Sequence, residues 1–195
     1  MKHKPLIIYF LLGFVLQSCS SHFAPVVVQE YLGDYELICS TASEQSVVRI
    51  AGDEEPGERL FLVGQIVDQE TKEPISGAKI FFYQANHEGL YNSRFIGMPS
   101  FARISGSVKT DVNGCFILQT IIPGNYPDQI DGKHIHTKIR APGYPTWNME
   151  FLFEGHLDDV LRPEYLTRGD GVILNPVETL LPGIFIAECE LEMGN

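Results

Sequence analysis

Two histidines one residue apart, His134 and His136, are the residues of this chain whose type and spacing most clearly suggest chemistry. They stand in the segment GKHIHTKI, which has the composition of a strand. Residues i and i+2 of a strand lie on the same face, so the two imidazoles would lie side by side. Such a pair is either half of a metal site or a polar surface pair, and the other residues brought to that face decide between them.

Two tyrosines in loop settings precede the histidine pair and could complete a metal site. Tyr91 ends the segment HEGLY after a predicted strand, and Tyr126 ends IPGNY shortly before the pair. Phenolate oxygen is a hard, strongly donating ligand, so two phenols with two imidazoles favour Fe(III), whereas imidazoles with thiolates favour zinc or copper. A trivalent ion would hold a phenol deprotonated at neutral pH, although its pKa in water is about 10. Taken singly, each tyrosine reads as an ordinary packing or surface residue.

The elements that must position these residues are short strands separated by turns. Apolar and β-branched runs alternate with loops rich in Pro, Gly and Asn, and long helical periodicity is scarce. Strands are predicted at 60–68, 78–84, 105–110, 115–121, around the histidine pair, and at 149–153, 172–174 and 183–192. This pattern predicts an all-β sandwich with little helix, forming one domain over residues 60–195.

The first residues predict an export signal. Lys2 and Lys4 precede an apolar run at 6–16 that is too short to span a bilayer as a helix. The run ends in LQSC, which resembles a bacterial lipoprotein signal: cleavage after residue 18 would leave Cys19 to carry lipid. No Asp follows Cys19, so we expect an outer-membrane lipoprotein, with residues 19–59 as tether and N-terminal extension.

Charge and cysteine content narrow the partners and the redox compartment. The formal net charge is −11, and removing a signal that contains two lysines makes it more negative, which argues against nucleic acid as a partner. Three cysteines remain after Cys19, far apart and without a CxxC pair. An exported protein favours a disulfide, for which we select Cys39 with Cys189. Cys115 lies in a strand pattern and is expected to be a buried thiol.

Three segments together resemble the intradiol ring-cleavage dioxygenases, the non-haem Fe(III) enzymes that open catechols between their two hydroxyls. The segments are VGQIVDQETKEPISGAKIFFYQANHEGLY, SVKTDVNGCFILQTIIPGNY and HIHTKIRAPGY, within residues 61–153. They contain the strand leading to G-x-Y, a T-D-x-x-G turn, an I-x-P-G-x-Y loop and H-I-H. The resemblance implies the mixed β-sandwich of that family, of the prealbumin-like type.

The resemblance also implies a role for each matching residue. Tyr91 would stay on the iron, and Tyr126 would be the axial ligand that leaves when substrate binds and takes a catechol proton. His134 and His136 would be the remaining protein ligands, with Fe(III) as cofactor and with a small aromatic diol and O2 as substrates. An open position on the metal would receive the diol.

Two positions depart from the family pattern. An arginine usually stands three residues before the first histidine of the pair and stabilises negative charge on the ring, but Asp131 occupies that position here. Arg103 and Lys133 are then the candidate cations of the substrate site. Glu150 aligns with a glutamine that assists on the far side of the ring, so it is the third predicted substrate contact.

Two other readings remain open from the sequence. The same strands and turns resemble the metal-free prealbumin-like modules attached to carboxypeptidases and surface proteins, which would make the chain a structural or binding module. A glycan-associated surface protein is a third class, supported only by the predicted anchor. The histidine pair together with Tyr91 distinguishes the dioxygenase interpretation from these two alternatives, because neither alternative requires those residues. The long helical segment that joins soluble catechol dioxygenases into dimers is missing, so a monomer or a different oligomer is expected.

Overall fold

The computed structural model describes residues 39, 43–91, 102–127, 132–154 and 171–194. A short 3-10 helix covers Glu44–Ser46, and no α-helix occurs among the described residues. Ten strands are described, in this order along the chain: β1 (Val47–Arg49), β2 (Arg59–Asp68), β3 (Lys79–Gln84), β4 (Ile104–Lys109), β5 (Cys115–Ile121), β6 (His134–Arg140), β7 (Trp147–Phe153), β8 (Gly171–Leu174), β9 (Val177–Glu178) and β10 (Ile184–Met193).

The strands form two five-stranded mixed sheets. The first has the order β1-β5-β2-β10-β9, and the second has the order β4-β3-β6-β7-β8. β2 pairs antiparallel with β5 and parallel with β10, and β6 lies between antiparallel neighbours β3 and β7. The predicted all-β sandwich is therefore confirmed, and the predicted strand segments correspond to observed strands.

The core lies between the two sheets and is built by alternation along each strand. Phe82 of β3 packs against Phe116 of β5 and Phe151 of β7, with ring centroids 5.8 and 6.5 Å apart. In β6, Ile135 and Ile139 are fully buried in this core. Because side chains alternate, the histidines of β6 are sent to the opposite, outer face of the second sheet.

The disulfide joins Cys39 to Cys115, so the predicted pairing of Cys39 with Cys189 is wrong, and so is the buried thiol predicted at Cys115. The alternation of side chains along each strand explains why the predicted pairing is wrong. Cys115 points to the outer face of the first sheet, where Cys39 is buried beside Val63. Cys189 points into the core between the sheets and remains a free, buried thiol.

The described part of the N-terminal extension packs on the sandwich. Its strand β1 pairs parallel with β5. Arg59 donates hydrogen bonds to the backbone carbonyls of Gly52 and Glu55, at 2.9 and 2.8 Å, and so closes the loop before β2. Cys19 and Asp131 lie outside the described residues. Over the part of the chain that the structure describes, no helix has the length and apolar character needed to cross a bilayer.

Candidate metal centre

The two imidazoles lie side by side at the start of β6, on the outer face of the second sheet. His134 is 8% exposed and His136 is half-buried, whereas the intervening Ile135 is fully buried in the core. The ring centroids of the two histidines are 4.6 Å apart and the rings are nearly perpendicular. The spacing of the H-I-H segment therefore has the structural consequence predicted from strand geometry.

Each histidine has its Nδ1 atom held by an acceptor, which leaves both Nε2 atoms facing a common point. His134 Nδ1 lies 2.8 Å from the carbonyl oxygen of Gly132, and His136 Nδ1 lies 2.9 Å from Oε1 of Glu150. An acceptor at Nδ1 assigns the proton to that nitrogen in the neutral ring. The Nε2 atoms, 3.1 Å apart, then present lone pairs that can bind a metal ion.

The two predicted tyrosines stand on loops that are bound to each other through Asn86. The Asn86 side-chain oxygen accepts hydrogen bonds from the backbone N–H of Glu88 and of Leu90, at 3.1 and 2.8 Å, which shapes the loop leading to Tyr91. The Asn86 carbonyl accepts a 2.9 Å hydrogen bond from Gly124, in the loop leading to Tyr126. One asparagine thus sets the relative position of both tyrosine loops.

Four donor atoms from three segments converge. The Tyr126 hydroxyl lies 2.9 Å from His134 Nε2 and 3.4 Å from His136 Nε2, and it is hydrogen-bonded to the Tyr91 hydroxyl. Two ligand atoms about 2.0–2.1 Å from one ion, at right angles to each other, are about 2.9 Å apart. The separations around Tyr126 are therefore those of neighbouring ligands on one metal ion.

The charges around the site show what a cation would change. Burial, together with the hydrogen bond to Tyr126, raises the pKa of Tyr91 far above its ordinary range, so this phenol stays protonated in the metal-free protein. Burial also opposes ionisation of Glu150, but the hydrogen bond with His136 and the two nearby histidines outweigh it, and the Glu150 pKa is lowered. A trivalent ion is the kind of charge that could ionise so buried a phenol.

The donor set fits Fe(III). Two phenol oxygens with two imidazole nitrogens form a hard set, and no thiolate is available to it among the described residues, because Cys115 is in the disulfide and Cys189 is in the core. Glu150 also lies within ligand distance of the two histidines. Since it binds His136 on the ring nitrogen opposite the tyrosines, we interpret it as a partner of that histidine and not as a fifth ligand.

Comparison with known proteins agrees with the geometry. A family model described as dioxygenase matches residues 34–161, well over half of the chain. The chain belongs to this dioxygenase family. The 6-chlorohydroxyquinol 1,2-dioxygenase of Cupriavidus pinatubonensis is 28% identical over 106 residues, which cover 46% of this chain and 38% of that protein. The chain thus spans well under half the length of this curated relative.

Solved structures of intradiol enzymes have the same fold as this dioxygenase family member. An intradiol ring-cleavage dioxygenase from Tetranychus urticae superposes with a TM-score of 0.59 at 21% identity, over 75% of this chain and 85% of its own. Catechol 1,2-dioxygenase from Acinetobacter sp. ADP1 superposes with a TM-score of 0.61 at 22% identity, over 77% of this chain and 57% of its own. The resemblance to the intradiol family found in the sequence is confirmed.

The three predicted substrate contacts of this dioxygenase family member have different surroundings. Glu150 contacts His136, as described above. Arg103, immediately before β4, has its guanidinium paired with both carboxylate oxygens of Glu55, one of them at 2.8 Å. Lys133 immediately precedes His134 and is half-buried. Lys133 thus adjoins the histidine pair along the chain, whereas Arg103 is already paired with Glu55 of the N-terminal extension.

The sequence analysis missed one residue of the candidate metal centre, Tyr83, and also missed Glu55, the partner that holds Arg103. Tyr83 of β3 stacks on His136, with centroids 4.4 Å apart and planes 14° from parallel. Alternation in β3 could have placed Tyr83 on the outer face, but its register opposite His136 is visible only in the sheet. Glu55 was missed because nothing in its acidic segment identifies Arg103 as its partner.

Proposed function

We propose that this chain binds Fe(III) through Tyr91, Tyr126, His134 and His136 and catalyses intradiol cleavage of a catechol-type diol with O2. The observation that carries the proposal is the convergence of the four donor atoms around the Tyr126 hydroxyl, at 2.9 and 3.4 Å from the two Nε2 atoms. A metal-free sandwich module gains nothing from burying two phenols against two imidazoles. The family match supports the same reaction class.

The residues of the proposed site have different roles. The two histidines are held on a strand, and their Nδ1 hydrogen bonds keep both Nε2 atoms facing the point where the ion would bind. Tyr91 is held by the Asn86 loop and would remain a ligand of the iron. Tyr126 would be the ligand that gives way to substrate, and its phenolate would take a proton from a substrate hydroxyl. When bound, Fe(III) supplies the Lewis acidity that favours the ionised diol and prepares it for reaction with O2.

The substrate class follows from the relatives and from the charges near the site. The curated relative is named for a chlorohydroxyquinol, so hydroxyquinols and catechols are the first diols to consider. Lys133 and Glu150 flank the histidines and are the proposed substrate contacts. Arg103 can contact substrate only when its ion pair with Glu55 is broken. Ring substituents that accept a hydrogen bond from a lysine would be favoured.

We further propose that the protein is an exported lipoprotein of the outer membrane, anchored by lipid on Cys19. The disulfide between Cys39 and Cys115 supports export, since disulfides persist in oxidising compartments. The LQSC segment supports cleavage before Cys19. Metabolic labelling with a fatty acid, compared between the chain and its Cys19→Ser variant, tests the anchor. Equal labelling of both would reject it.

Two measurements test the iron site and the reaction. Iron-loaded protein should contain about one iron per chain and show a visible tyrosinate-to-iron charge-transfer band, which Tyr91→Phe shifts or bleaches. Tyr83→Phe is the matched control, because Tyr83 stacks on His136 without joining the donor set. A panel of catechols and hydroxyquinols under O2 should then give the absorbance rise of ring-opened muconate-type products. Protein that binds no iron, or bound iron with no turnover on any diol, would reject the corresponding part of the proposal.

A further inference from the structure

Glu150 and His136 are directly opposite each other on neighbouring strands. β6 and β7 pair antiparallel, and the register places Glu150 against His136 on the outer face of the second sheet. The Glu150 Oε1 atom lies 2.9 Å from His136 Nδ1, and both side chains are 21% exposed. The contact is therefore partly shielded from water and fixed by the sheet.

The two proposed ligands differ in the partner that holds Nδ1. His134 donates to a neutral backbone carbonyl, that of Gly132, whereas His136 donates to a carboxylate. The other carboxylate oxygen, Oε2, is buried and has no hydrogen-bond partner in the described parts of the chain. Among the described residues Glu150 forms no ion pair with lysine or arginine, and its recorded ion-pair partner there is His136.

One face of the His136 ring is also covered. Tyr83 stacks in parallel on it from β3, which restricts rotation of the imidazole. A ring with a phenol stacked on one face and a charged acceptor at Nδ1 is held in one orientation and one tautomer. An anionic partner at Nδ1 also draws the proton towards itself and makes Nε2 a stronger electron donor.

We propose that Glu150 is a positioning residue that acts on the iron through His136, fixing its tautomer and strengthening its donation. This inference rests on the proposed iron site and gives Glu150 a role beyond the substrate contact expected from the sequence. The two histidines would then be unequal ligands, with His136 the stronger donor. Because stronger donation makes Fe(III) less electron-poor, the carboxylate would raise both the energy of the tyrosinate charge-transfer band and the affinity for Fe(III).

Two substitutions in the full chain separate charge from orientation. Glu150→Gln keeps an acceptor oxygen for His136 Nδ1 but removes the negative charge, and Glu150→Leu removes both. We expect the charge-transfer band of Glu150→Gln to move to longer wavelength, and a competing chelator to remove its iron roughly 10-fold more readily. Glu150→Leu should lose more affinity than Glu150→Gln. Glu190→Gln, the same change at an exposed position of β10, is the matched control and should behave as the parent protein.

The outcomes are distinguishable from those of the proposed function. If the parent protein binds iron and Glu150→Gln matches Glu190→Gln in both band position and chelator resistance, the positioning role is overturned and the iron site stands. If the parent protein binds no iron, the metal site and this inference are both overturned. Thermal unfolding of the metal-free variants shows whether each is folded, and Glu150→Gln, which is nearly isosteric, provides the decisive comparison.

Discussion

Gly89 and Asn125 pack backbone against backbone, so closely that a Cβ atom on Gly89 would lie 1.8 Å from the carbonyl oxygen of Asn125. Gly89 also has φ +80°, a conformation that disfavours any side chain. Gly89 is two residues before Tyr91, and Asn125 immediately precedes Tyr126. Together with the hydrogen bonds of Asn86, the contact therefore holds the two tyrosine loops close together.

Replacement of this glycine should separate the tyrosine loops. In Gly89→Ala the added methyl group must push the Asn125 backbone away, on top of a backbone strain of roughly 1–3 kcal/mol. We expect loss of the charge-transfer band and weaker iron retention, because the phenols no longer converge. Iron titration followed by visible absorbance measures both. The matched control is Gly143→Ala, where φ is +86° but nothing lies within 4 Å of the added atom. If both variants bind iron alike, the loop contact does not position the tyrosines.

The Glu55–Arg103 ion pair should stabilise the N-terminal extension against the sandwich. The Glu55 side chain is 8% exposed and the Arg103 side chain 49% exposed, and the hydrogen bonds from Arg103 are the main reason that the pKa of Glu55 is lowered. Glu55→Gln should lower the free energy of unfolding by roughly 1–2 kcal/mol. Glu192→Gln, which breaks the exposed pair with Lys72, should cost under about 1 kcal/mol. If urea unfolding shows the same loss of unfolding free energy in Glu55→Gln and Glu192→Gln, this prediction is wrong.

The Cys39–Cys115 disulfide should make stability depend on redox conditions. It closes a loop with a sequence separation of 76, and its loss should cost roughly 2–4 kcal/mol. A reductant should lower the melting temperature of the parent protein and of Cys189→Ala but leave Cys115→Ala unchanged. Burial raises the pKa of the Cys189 thiol, so this residue should resist thiol reagents until the protein unfolds. A reductant effect that persists in Cys115→Ala would rule out the observed pairing.

Acid should destabilise the turn after β2 through Asp68. Hydrogen bonds from the Thr71 backbone, the Tyr144 hydroxyl and the Thr71 side chain lower the pKa of Asp68 to about 2. A carboxyl whose folded pKa is depressed contributes stability above its unfolded pKa of about 3.9, and loses it as the pH falls towards 2. Asp68→Asn should therefore be less stable than the parent protein at pH 7, and the difference should shrink between pH 4 and 2. Tyr144→Phe removes one of these hydrogen bonds, so its stability should lie between that of the parent protein and that of Asp68→Asn. A constant difference across this pH range would contradict the assignment.

The strands and the histidine pair could be predicted from the sequence for physical reasons, whereas the two tyrosines were selected through the family resemblance. Alternating or continuous apolar runs in β2, β5 and β10 report burial directly, and the H-I-H spacing forces both rings onto one face. Contacts between strands could not be predicted in this way. The pairs Tyr83–His136 and His136–Glu150 depend on strand register, and register depends on the whole sheet. The cysteine pairing was mispredicted because it depends on which face each strand turns outward.

The crosslink at Cys39 also determines how the protein carries mechanical load. Tension on the residues before Cys39 would pass through the covalent bond directly into β5, which is hydrogen-bonded along its length to β2. The segment that contains β1, Glu55 and Tyr91 lies inside the closed loop and is bypassed. If the disulfide were reduced, the same force would act on the three residue pairs between β1 and β5. β1 would then detach from β5 before the rest of the sandwich unfolds.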